Sequence, residues 1–217
     1  MKWTYKRELV PLAMLAIMAA IAVVSYPLLP DPMPSHFASN GRVNGWMGKD
    51  ASLALMFCVL AGTYALMTFL PLIDPRLRNK ESKYGLILLM RDVLLGFWVF
   101  LFFLVIRGAL EGYLHLELYG VAVGLLFVVL GNYLPKMPPN WFVGIRTPWT
   151  LSSDTVWKRT HVLGGWLFVL SGAALIAATI ARVPLEVSLI AVVSVLVLFS
   201  LIYSFWLFKL LQKRGEL

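Results

Sequence analysis

The stretch "YGLILLMRDVLLGFWVFLFFLVI", residues 84–106, decides the fold. A helix needs about 20 apolar residues to cross a bilayer core. This stretch is long enough, but Arg91-Asp92 interrupts it. Five other segments read as spans without such a break, at roughly residues 9–29, 52–73, 116–134, 161–181 and 185–208. The chain is therefore a five-span or a six-span membrane protein, depending on how Arg91 and Asp92 are read. A membrane class is already fixed by composition: 60% hydrophobic and 14% charged residues, with a mean hydropathy of +0.80. Soluble domains carry about 25% charged residues.

The basic residues choose between the two layouts. Lys and Arg concentrate in cytoplasmic loops. With six spans, one side holds Lys2, Lys6 and Arg7, then Arg76, Arg78, Lys80 and Lys83, then Lys136, Arg146, Lys158 and Arg159, and finally Lys209, Lys213 and Arg214. The other side holds Arg42, Lys49, Arg107 and Arg182. Five spans would break this asymmetry. The expectation is an all-α six-helix membrane bundle, one domain over 1–217, with both termini cytoplasmic. Residues 9–29 exceed the ~7–15 residue core of a cleaved signal, so they read as an uncleaved first span. The net charge of +8 fits loop charge. No polar segment is long enough for a nucleic-acid-binding domain, so no direct nucleic-acid contact is expected. The single cysteine, Cys58, permits no internal disulfide.

Two loops are long. Residues 30–51 lie outside, and the prolines at 27, 30, 32 and 34 favour an extended exit from the first span. Asn40-Gly41 is a hairpin-turn signal, because both residues tolerate positive φ. A small hairpin should cap the bundle, with His36, Phe37, Gly41 and Trp46 as its candidate residues and Trp46 at the lipid interface. The second long loop contains "NWFVGIRTPWT", residues 140–150. Pro135, Pro138 and Pro139 stop the fourth span ahead of it. Gly144 allows a tight turn, Arg146 is suited to gripping a phosphate or carboxylate, and Trp141 and Trp149 fit the interface. Thr150, Ser152 or Ser153 is placed to cap the next helix, with Asp154 on its positive end. Trp157, His161 and Gly165 then recur at i+4 on one face. Gly120-x-x-x-Gly124 suits a close helix contact, and Ala173, Ala177 and Ala181 form a second small-residue stripe.

Catalytic signatures are absent: no His-Glu-x-x-His, no Gly-x-Ser-x-Gly, no phosphate-binding glycine loop. His36 and His115 fall outside and His161 inside, so they do not form a metal site. The expectation is a non-enzyme with no metal and no cofactor. Charges within a span cost about 2.5–3.5 kcal/mol each at mid-bilayer, which makes Arg91 and Asp92 functional candidates. Adjacent helical residues point about 100° apart, so each is expected to find its partner on another helix or in water. The competing reading is that Arg91 snorkels to the interface. A small transporter or lipid-handling protein, with Arg91 and Asp92 as a relay and Arg146 as a headgroup clamp, is the alternative function.

Residues 131–172, "GNYLPKMPPNWFVGIRTPWTLSSDTVWKRTHVLGGWLFVLSG", resemble the signature of the SdpI-type immunity proteins. The residues that carry the likeness include Asn132, Asn140, Gly144, Arg146, Thr147, Trp149, Thr150, Trp157 and His161. Residues 30–49 resemble the small domain of unknown function that precedes this signature, although Asn44 stands where that domain carries an acidic residue. The resemblance implies a bacterial inner-membrane protein that protects against a secreted peptide toxin and senses it. It also implies a small cytoplasmic DNA-binding repressor held at the membrane when toxin binds. Membrane lipids are the remaining expected partners. Coupling the two sides requires two bundle states that differ in toxin affinity. On this reading the outer loop meets the toxin, and Arg146 with the Trp157–His161 face meets the cytoplasmic partner.

Overall fold

The structure, a computed structural model, describes residues 5–38, 41–77 and 81–217. Lys2, Asn40, Arg78 and Lys80, used in the readings above, lie outside the described residues, as does the side chain of Lys83. Among the described residues, six helices are long and apolar enough to cross a membrane: α1 (Leu9–Ser25), α2 (Lys49–Phe69), α3 (Glu81–Glu111), α4 (Leu116–Tyr133), α6 (Asp154–Ile180) and α7 (Leu185–Lys213). A single turn, α5 (Pro148–Ser152), precedes α6. Residues 84–106 thus lie inside one unbroken helix of 31 residues, about 46 Å long at 1.5 Å per residue. Proline explains where the helices stop. Pro71 and Pro75 follow α2, Pro135 follows α4, and Pro184 precedes α7, whereas α3 contains none. Within a bilayer such internally bonded helices, like closed β-barrels, leave no backbone group unpaired.

The first three helices share one core. Met18, Leu53, Leu60, Leu95 and Phe102 are buried together, and Phe57 meets Phe102 edge-on at 6.1 Å. The second half closes around α4 and α6, whose backbones touch. A Cβ on Gly131 would lie 2.6 Å from the Gly165 carbonyl oxygen, and one on Gly165 would lie 2.7 Å from that of Gly131. Gly124 faces the Gly172 carbonyl in the same way, at 2.8 Å. The Gly120–Gly124 stripe is therefore a helix contact as its spacing predicts. The alanine stripe is not, because Ala173 and Ala177 are exposed. Alanine still holds the backbones a methyl apart, and α6 turns its glycines inward instead. Gly131→Leu should cost about 1–3 kcal/mol by overpacking, read as earlier thermal unfolding in detergent. An unchanged transition would show that α4 and α6 are free to separate.

At the far end from the termini, β1 (Met33–Phe37) and β2 (Val43–Met47) form an antiparallel hairpin. Gly41 has φ +79, and a Cβ there would meet the Leu114 carbonyl at 2.7 Å. The Leu114 N–H donates to the Gly41 carbonyl at 3.1 Å, which ties the hairpin to the α3–α4 connection. His36 pairs with Asn44 across the strands, so the residue standing in the acidic position is part of the hairpin's own bonding. Met33 is buried in the α1–α3 core. Phe37 is half-buried, and Trp46 is 60% exposed.

Candidate functional site

The end of the bundle that carries both termini also holds the loop 137–153 as a closed knot. Asn140 is its hub. The side chain is fully buried and spends its whole hydrogen-bonding capacity on the loop. Its Nδ2 donates to the Pro138 carbonyl at 2.9 Å and the Val143 carbonyl at 2.8 Å. Its Oδ1 accepts from the N–H groups of Phe142 at 2.8 Å and Val143 at 2.6 Å. The loop is thereby folded from within, which a polar segment between two spans needs if its backbone is to be buried.

Trp157 and His161 form the floor under that loop. Both are buried, with rings stacked 4.0 Å apart at 20°. The Trp157 indole N–H donates to the Met137 carbonyl at 2.9 Å. His161 Nε2 accepts from the Ile145 N–H at 3.0 Å, and Nδ1 lies 2.8 Å from the Trp157 carbonyl. Those partners fix the tautomer with the proton on Nδ1. The expectation that this face meets a soluble partner is corrected here. An indole and an imidazole at i+4 are large and mostly apolar, so the loop folds down onto them.

Thr147 and Thr150 close the knot. Thr147 Oγ1 accepts from the Thr150 N–H at 3.2 Å, and the Thr147 N–H donates to Thr150 Oγ1 at 2.9 Å, a reciprocal cap at the start of α5. Thr147 Oγ1 also donates to Ser204 Oγ on α7 at 2.9 Å. Ser153, one of the three expected candidates, caps α6 through the Val156 N–H. Trp149 is half-buried against Phe205, with ring centroids 5.0 Å apart. Asn132 stays apart from the knot: it is exposed and bonds back to the Val128 carbonyl on its own helix.

Arg146 is the exception among the loop residues. It is exposed, and one guanidinium nitrogen donates to the Trp141 carbonyl at 2.7 Å. Beside it Trp141 is 46% exposed. The knot is also fastened to the α2–α3 connection by two residues that sequence reading did not single out. Asp74 is buried and accepts from the Trp141 N–H at 2.7 Å and the Arg76 N–H at 2.8 Å. Arg76 donates to the Leu151 carbonyl at 2.7 Å and reaches Asp154 at 3.3 Å. An acidic residue before a proline, at the end of a span, is the signal that would have found Asp74.

Arg91 and Asp92 form a second polar cluster. Arg91 is fully buried. Its Nε donates to Asp92 at 2.9 Å, Nη1 to Thr68 at 3.2 Å and to Glu8 at 3.4 Å, and Nη2 to the Arg7 carbonyl at 2.6 Å. Tyr64 donates to Glu8 at 2.9 Å. Two expectations are corrected. Arg91 and Asp92 do pair, because the long arginine chain curls back across the 100° that separates their Cβ directions. Arg91 also lies level with the first turn of α1 and does not snorkel to water. Glu8, Thr68 and Tyr64 were not anticipated. Among the described residues, no group of three or more His, Cys, Asp and Glu is placed to hold a metal ion.

Residues 136–204 match the SdpI/YfhL protein family, and residues 13–62 match a domain of unknown function, DUF1648. Residues 136–204 are thus SdpI-like in sequence. Over 168 residues it is 25% identical to the Immunity protein SdpI of Bacillus subtilis (strain 168), covering 77% of this chain and 78% of that one. No solved structure gives a significant match. The SdpI match runs from the base of the knot to Ser204, so it contains both ends of the Thr147–Ser204 bond. The DUF1648 match exceeds the hairpin and takes in most of α1 and the first part of α2.

Proposed function

We propose that this SdpI-like multi-pass membrane protein provides immunity to a secreted peptide toxin and signals its presence, by binding rather than by catalysis. It resides in the bacterial inner membrane with both termini in the cytoplasm, a placement supported by the Lys and Arg asymmetry. The hairpin end then faces the toxin, and the knot faces a small DNA-binding repressor. One observation carries the reading of the knot. Asn140, Thr147, Thr150, Trp157 and His161 are consumed by internal bonds, while Arg146 and Trp141 stay at the surface. A rigid mount presenting an arginine fork and an indole is suited to a protein contact, where these two residue types dominate binding energy.

The test uses Bacillus subtilis lacking its own SdpI, grown beside toxin-secreting cells. Expression of this chain should restore survival. Arg146→Ala should reach the membrane at wild-type abundance and lose survival, repressor capture or both. No rescue by the wild-type chain would sink the immunity reading. Full activity of Arg146→Ala in both assays would make Arg146 a lipid anchor only.

A further inference from the structure

The outward face of α6 carries a stripe that the knot uses only at Asp154, through Arg76. Asp154, Lys158, Val162 and Trp166 recur at i+4, about 100° around the helix from the buried Trp157–His161–Gly165 face, and span about 18 Å of helix. With Arg159, Leu163 and Tyr203 of α7 they line an open groove of about 670 Å³. Polarity changes along it in one direction. Two cations lie at the termini end, and apolar surface follows toward the bilayer centre, with Val162 and Leu163 each 40% and Trp166 65% exposed.

We propose that this groove holds one anionic phospholipid, with its phosphate between Lys158 and Arg159 and an acyl chain along Val162, Leu163 and Trp166. Charge complementarity selects the occupant. Among the described residues Lys158 and Arg159 make no ion pair, and both are exposed. The acidic residue of the groove, Asp154, is already answered by Arg76 at 3.3 Å. The site therefore keeps a net positive head. A guanidinium fork beside an ammonium matches a phosphate, and Tyr203 and Trp166 are of the ring types enriched at the membrane–water interface. Basic pockets between membrane helices recognise anionic headgroups by this chemistry. The groove between α1, α2 and α3, about 420 Å³, differs in the decisive respect. Its charged group, Glu8, is spent on Arg91 and Tyr64. A lipid at Lys158 would sit one turn from Asp154, and so beside the Arg76 contact that fastens the knot.

Full-length protein in vesicles of phosphatidylcholine with a minor share of photoactivatable phosphatidylglycerol should give one cross-linked lipid, mapped by mass spectrometry to the segment 155–166. The double variant Lys158→Ala, Arg159→Ala should lower that yield about thirtyfold. Lys213→Ala with Arg214→Ala should leave it unchanged, which separates the groove from bulk surface charge. Thermal unfolding of each variant confirms that it is folded. Equal labelling in both double variants would overturn the proposal. Complete displacement of the lipid by inorganic phosphate would overturn it too, since the site would then bind the free anion.

Discussion

Arg91→Ala should destabilise the protein by about 3–5 kcal/mol, the usual result of removing one partner from a buried charge cluster. The variant leaves Glu8 and Asp92 facing each other across a protein interior with no cation between them. Thr68 and the Arg7 carbonyl lose their donor at the same time. Because those groups belong to the start of α1, to α2 and to α3, the three helices should loosen together, and α1 should become accessible to protease at its first turn. Thermal unfolding in detergent measures the loss. A companion variant tests the cause. Glu8→Gln, Arg91→Met and Asp92→Asn together remove every charge of the cluster, so much of the stability should return. If Arg91→Ala unfolds like the wild type, the cluster is solvated and no clamp. If the triple variant is as unstable as the single one, side-chain shape and not charge balance holds the helices.

This clamp also marks the boundary of what the sequence discloses. The six spans were legible because span length and the sidedness of Lys and Arg are both set by the bilayer, a constraint that acts on every residue of the chain. The intramembrane Arg91 was legible as a cost that had to be met. Its partners were not, because Glu8 lies 83 positions away and belongs by sequence to a charged tail. The hairpin turn and the α6 cap were legible for the opposite reason: Gly41 and Ser153 act on neighbours a few residues away.

The knot divides along the same line. Sequence pointed to Asn140, Gly144, Arg146 and Thr147 as more than interfacial anchors; the structure gathers Asn140, Gly144 and Thr147 with Trp157 and His161 and leaves Arg146 at the surface. The fastening of the loop at Asp74, which accepts from the Trp141 N–H, and the far end of the Thr147 bond at Ser204 depend on how loops from different spans meet, which periodicity does not encode. Trp157 and His161 were read as facing a partner because i+4 spacing identifies a face without saying which way it points. Burial decides that, and here the covering element is the loop itself.

Gly144→Ala should undo the knot. Gly144 has φ +119, a region closed to side chains, and a Cβ would lie 2.5 Å from His161 Nε2 and 3.3 Å from the Trp157 ring. Backbone strain of about 1–3 kcal/mol adds to the loss of the buried Ile145 to His161 hydrogen bond, a further ~1–3 kcal/mol when a buried group is left unpaired. The loop must lift off its floor, because His161 and Trp157 are pinned from below by α6 and cannot retreat. Trypsin reports this directly. Arg146 lies between Ile145, held by His161, and Thr147, held by Thr150 and Ser204, so cleavage after Arg146 should be slow in the wild type and fast in the variant. Gly48→Ala provides the control, since nothing lies within 4 Å of a Cβ there, and it should change neither cleavage nor unfolding. Wild-type resistance to trypsin in Gly144→Ala would show that the loop tolerates a side chain at its centre. Arg146 would then not be held by a rigid mount, and its proposed role in recognition would lose its structural basis.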